Sequence, residues 1–171
     1  FGEGDYDETE DAVRSLLAET DRDLGGRAPV VRAQTASTDV ELTPETYLGA
    51  ARADRWINGP IRPGPKDFGE PPGGLAVNDF AYSGVWTITD EGATAGERAG
   101  IDLEFSARRV FLVLGSPDEH RDVEVMLDGE PISNADAGAD VKDGVVTVGP
   151  QQLYSLVDLP KAGEHRLGLR F

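Results

Sequence analysis

The chain has 171 residues, 39% of them hydrophobic, enough for one sizeable core with an appendage. Its net charge of −16 and pI near 4.3 repel phosphate backbones and anionic lipid, which argues against nucleic acid and membrane surfaces as partners. With no cysteine the polypeptide holds no disulfide, thiol nucleophile or Cys-ligated metal, and no apolar run approaches the roughly 20 residues of a membrane-crossing helix.

From the N-terminus, Tyr6, Val13, Leu16 and Leu17 fall at helical spacing among acidic residues and predict an amphipathic helix over Asp5–Glu19. Asp5 or Asp7 caps its start, and Gly25-Gly26 lies beyond its end. The acidic run Asp5, Asp7, Glu8, Glu10, Asp11 lacks the alternation and the glycine of an EF-hand loop, so it reads as a solvated helix face. Arg27–Glu41 is polar and aperiodic apart from Val30-Val31, as a linker is. Thr43-Pro44-Glu45 has the order of an N-cap, a first-position proline and a first-turn acid. It predicts a short helix or helical turn carrying Tyr47, Leu48, Ala51 and Trp56. The following stretch, Asn58–Gly74, holds five prolines and five glycines and reads as a long surface loop without regular structure.

Seven strand candidates come next: Gly84–Thr89, Ile101–Ser106, Val110–Leu114, Val123–Leu127, Val145–Val148, Leu153–Val157 and Arg166–Phe171. Ile101, Leu103, Phe105 and Val123, Val125, Leu127 alternate with polar neighbours, and Asp128-Gly129 and Asp143-Gly144 are tight-turn dipeptides. The 21 glycines and 11 prolines suit short strands joined by many turns. An all-β sandwich or barrel with one wet face follows.

The segments Thr43-Pro44-Glu45-Thr46-Tyr47-Leu48-Gly49, Ser83-Gly84-Val85-Trp86-Thr87 and Phe111-Leu112-Val113-Leu114-Gly115 resemble the C-terminal region of DipZ-type cytochrome c biogenesis proteins and related thioredoxin-family proteins. Phe1-Gly2-Glu3-Gly4-Asp5-Tyr6, Val125-Met126-Leu127-Asp128-Gly129 and Leu153-Tyr154-Ser155-Leu156 extend the likeness over most of the chain. The resemblance implies an extracytoplasmic thioredoxin-like domain followed by a jelly-roll domain similar to carbohydrate-binding modules. On that basis residues 1–25 are the terminal helix of the thioredoxin-like domain, 26–42 a linker, and 43–171 a jelly-roll-like β-sandwich. The opening on Phe1 without Met and the stop within a strand candidate fit a fragment of a longer parent. The implied partners are the parent's thioredoxin-like domain, a glycan, and a second copy docking through the helix face of Leu16 and Leu17.

Few residues offer catalysis. His120 and His165 are the only histidines, both beside turn signals and 45 positions apart, without zinc spacing. Ser83, Ser106, Ser116 and Ser155 lie in no nucleophile elbow. The acids Asp136, Asp140 and Asp143 suit either a Ca²⁺ ion or, more simply, a polar loop. No catalytic residue, metal site or cofactor is expected. Sugar binding fits the implied fold, since aromatic rings stack on pyranose faces, and the candidate rings are Trp56, Phe80, Tyr82, Trp86 and Tyr154. Trp86, within a strand, reads first as core, whereas Trp56 either stands exposed or clamps the Pro/Gly loop.

Overall fold

The computed structural model describes residues 42–171; the helix expected over 5–19 and nearly all of the linker expected over 26–42 lie outside them. In chain order the strands are β1 (Gly64–Asp67), β2 (Phe80–Ser83), β3 (Val85–Ile88), β4 (Ala93–Ala95) and β5 (Gly100–Leu114), followed by β6 (Arg121–Leu127), β7 (Glu130–Pro131), β8 (Val141–Lys142), β9 (Val145–Val148) and β10 (Gln152–Arg170). One sheet has the order β2-β5-β10-β6-β9-β8 with β7 beside β6, the other the order β1-β3-β4, and every strand pairing is antiparallel. Among the described residues the protein is all β-strand and turn.

Period-two burial explains how the sheets form one core. Trp86 and Ile88 of β3, Val123 and Val125 of β6, and Val146 and Val148 of β9 are buried, while Thr87, Glu124 and Thr147 between them face water. Each fully buried side chain of this size contributes about 1.5–3 kcal/mol of transfer free energy. Left-handed backbone at Asp128 (φ 54°) and Gly129 (φ 88°) makes the tight β6–β7 turn, and Asp143 (φ 51°) with Gly144 (φ 78°) makes the β8–β9 turn. Both Asp-Gly signals in the sequence therefore mark hairpins.

The longest strands join segments that the sequence separates. β5 runs through Ala107-Arg108-Arg109 without a break, and β10 continues across Pro160. The β10 register against β5 shifts between Ser155 and Val157 and again between Asp158 and Gly163, so two irregularities let one strand serve as two. Near its end β10 is paired on both sides: Leu167 lies opposite Leu103 of β5 and opposite Leu127 of β6.

Three expectations need correction. Thr43 caps no helix: its N–H donates to the Ser106 carbonyl and its hydroxyl accepts the Ser106 N–H, and of the expected short helix or helical turn only the turn forms, closed by Ala53 N–H on Gly49 O. The pull of the β5 edge on Thr43 outweighs local capping chemistry. The Pro/Gly stretch is not wholly irregular, because Gly64–Asp67 forms β1 against β3, with Pro65 at an outer strand where a missing N–H costs no ladder bond. Finally, Phe80–Ser83 is a strand that alternation could not reveal, since it is buried on both faces. Gly84 is the corner where the chain leaves that sheet for the other. Its φ is +66°, and a Cβ there would lie 1.9 Å from the Arg98 carbonyl oxygen.

Candidate functional site

Four of the five candidate rings come together, and they do so inside the protein. Trp56 meets Phe68, Phe80 and Tyr82 with ring centroids 5.3, 5.4 and 4.8 Å away, and Tyr82 meets Trp86 at 4.6 Å. Phe80, Tyr82 and Trp86 are fully buried, and Trp56 is half-buried. Their polar atoms are committed to the backbone: Trp56 Nε1 donates to Gly59 O, Tyr82 Oη to Leu48 O at 2.9 Å, and Trp86 Nε1 to Ser83 O at 2.9 Å. Burial pushes the Tyr82 hydroxyl well above its ordinary pKa, so it stays neutral. Tyr154 lies apart on β10, also buried, accepting the Gly149 N–H at 2.9 Å. Trp56 thus holds the Pro/Gly loop onto the sheet, and no flat ring face among Phe80, Tyr82, Trp86 and Tyr154 is open to a sugar.

Most of the other candidates are held in hydrogen bonds. His120 is exposed in the loop after β5, and His165 Nδ1 lies 2.8 Å from Asp128 Oδ2. Asp136 accepts from the Ser133 hydroxyl at 2.8 Å, Asp140 from the Ser155 N–H at 2.7 Å, and Asp143 from the Asn134 amide at 2.9 Å. These carboxylates fasten the segments around β8 to one another and to β10, and among the described residues no group of side chains is arranged to hold a metal ion.

What remains open is a groove of about 1450 Å³. It is lined by Thr43–Leu48, the β3–β4 turn with β4, the loop after β5 with the start of β6, and the second half of β5 with Leu153 of β10, and it reaches between the sheets to core residues such as Phe105 and Leu167. Phe111 (45% exposed), Val113 (54%) and Leu153 (61%) form an apolar patch there. Val113 lies directly opposite Leu153 in the ladder, and Phe111 is two residues from Val113, so the three share one face. The Arg109 guanidinium stands over the Phe111 ring, 5.8 Å from its centroid. Sequence reading missed this patch although a signal was present. Val110–Leu114 is five apolar residues in a row, so whichever face is covered, the other must carry Phe111 and Val113 or their neighbours.

Residues 43–171, the span of the sandwich just described, match the family model described as "Thioredoxin like C-terminal domain". The chain belongs to this family. Its relatives include Protein DipZ of Mycobacterium bovis and Protein DipZ of Mycobacterium tuberculosis, each 37% identical over 136 residues, covering 77% of the chain and 19% of the relative. The chain therefore spans about a fifth of the length of these curated relatives. The resemblance read from the Ser83–Thr87 and Phe111–Gly115 segments holds at the level of the domain. In this member of the family, those segments supply the core tryptophan of β3 and part of the lining of the groove.

Proposed function

We propose that this domain is a non-catalytic, jelly-roll-like accessory module of an extracytoplasmic thioredoxin-like thiol-disulfide oxidoreductase, and that its groove is the surface through which it engages what the enzyme acts on. The observation that carries the reading is the Phe111, Val113 and Leu153 patch. Large apolar side chains grouped in a concavity mark interaction sites, and here they lie on a domain without cysteine chemistry of its own. The membership in a thioredoxin-linked family supports the association with thiol-disulfide exchange.

The test compares thiol-disulfide exchange by the full-length protein on a disulfide-bonded protein and on glutathione disulfide, with and without Phe111→Asp plus Leu153→Asp. An accessory binding module loses rate on the protein substrate alone. Equal rates for both enzymes on both substrates would remove the groove from function.

A second reading is favoured by one observation: Phe111 is a partly open ring beside a guanidinium, as in many sugar sites. Glycan binding would then rest on Phe111 rather than on the buried rings, and would show as saturable array binding lost on Phe111→Ala. Self-association through Leu16 and Leu17 is the assembly form of the accessory role, tested by the mass of Leu16→Asp in solution.

A further inference from the structure

Beside the apolar patch, β5 has an edge that no other described strand covers. From Gly100 to Leu103 it pairs with β2, Glu104 exchanges bonds with Asn78 and Asp79, and Ser106 is matched by Thr43. From Ala107 to Leu114 its only partner among the described residues is β10, on the opposite side. In an antiparallel strand every second residue turns its N–H and C=O away from the paired neighbour, so a row of backbone donors and acceptors lines the groove. Eight residues at about 3.4 Å each make roughly 27 Å of edge, longer than a typical strand of five or six residues.

Other edges of the sandwich are protected. β1 has four residues and includes Pro65 and Lys66, β4 has three, and β8 two. Among the described strands the β5 edge is the long one, and its apolar part is Val110–Leu114, of which Phe111–Leu114 lies beyond the register shifts of β10. The groove's 1450 Å³ also exceeds the roughly 300–1,000 Å³ of small-molecule pockets. Charge specifies the occupant further. Arg108 is paired with Asp158 at 3.3 Å, but Arg109 has no carboxylate within ion-pair distance among the described residues. Arg109, Phe111 and Val113 follow one another on a single face of the strand.

We propose that the β5 edge from Ala107 to Leu114 captures an extended segment of a partner polypeptide as an added strand. The segment places a carboxylate against Arg109 and apolar residues at the second and fourth positions beyond it, on Phe111 and Val113. This rests on the accessory reading above and deepens it, because an unfolded stretch of a disulfide-bonded client is what such an edge recognises. Main-chain bonds would supply affinity independent of sequence, and the Arg109–Phe111–Val113 face a mild preference.

The test uses the 171-residue chain and a capped heptapeptide of alternating valine and threonine with glutamate replacing one terminal valine. Amide shifts in an NMR titration are expected at Ala107–Leu114 and Thr43. Two further peptides carry N-methyl groups on alternate amides, one set on each edge of the strand. One set should weaken binding by about tenfold or more and the other should not, a signature of one-sided strand pairing that needs no protein variant. Arg109→Glu, on an exposed side chain, should weaken the glutamate peptide about tenfold and favour a lysine version. Absence of binding, shifts elsewhere, equal effects of both methylated sets, or a response of these amides to chitohexaose instead of peptide would overturn strand capture. If it fails while Phe111→Asp plus Leu153→Asp still slows the full-length enzyme on protein disulfides, the accessory reading stands without it; if both fail, the groove has neither role.

Discussion

Asp102 sits in β5 with 3% of its side chain exposed, and its Oδ1 accepts from Arg166 Nη2 at 3.2 Å and from Arg170 Nη2 at 3.0 Å. Arg166 also donates to Pro72 O at 3.0 Å, so the carboxylate ties the Pro/Gly loop to the end of β10. The two guanidinium groups are about a third exposed, so water can replace part of what they lose, and Asp102→Ala should cost about 1–3 kcal/mol in urea unfolding. A loss below about 1 kcal/mol would mean that water reaches both guanidinium groups. Asp128 presents a different balance. Desolvation raises its pKa, but the Arg166 N–H and His165 outweigh that and hold the carboxyl below its ordinary value. A depressed folded pKa stabilises above the unfolded value near 3.9 and is lost as pH falls through the folded one. The Tm gap between the protein and Asp128→Asn should therefore be present at pH 7 and shrink toward pH 2.5. Asparagine keeps the left-handed turn accessible, so the comparison isolates charge.

At the scale of elements, β2 is held on its outer side by a side chain imitating a strand. The Asn58 amide donates to Tyr82 O and accepts the Tyr82 N–H, each at 2.9 Å. Asn58→Ala leaves two backbone groups beside Tyr82 without partners and should destabilise by about 1–3 kcal/mol, with earlier hydrogen exchange at Tyr82 than at Val125. Uniform exchange would show that β2 opens only with the whole sheet. This clasp lies within a stretch whose composition signals only a loop, because hydrogen bonding over 24 residues leaves no local trace. What the sequence did reveal follows the same logic. β3, β6 and β9 and both Asp-Gly hairpins carry local signals of alternation and turn chemistry, and they stand within a residue or two of expectation at their ends. β1 and β2 carry none, since one is made possible by an edge position and the other is buried on both faces. The aromatic residues were visible as a group, but burial depends on tertiary neighbours, so four of the five candidate rings pack together, Tyr154 is buried apart from them, and among the described residues Phe111 is an exposed ring.

The whole molecule carries 32 acidic against 16 basic residues, so acids outnumber bases two to one. Raising ionic strength from 0.01 to 0.15 M shortens the screening length from about 30 to about 8 Å. Relief of self-repulsion should raise Tm by about 2–4 °C, equivalent to roughly 1 kcal/mol for a chain of this length. An unchanged Tm in a salt series would show that the charges are balanced locally. The position of β10 has its own consequence. Leu127 and Leu167 are neighbours in the sheet but forty residues apart in the chain, and β10 is the strand that joins β5 to β6. A ribosome adding about 5–20 residues per second needs roughly 2–8 s to span that interval. Throughout it, the nascent chain carries two apolar flanks awaiting their centre, so a stalled transcript yields adhesive halves instead of a smaller stable sheet.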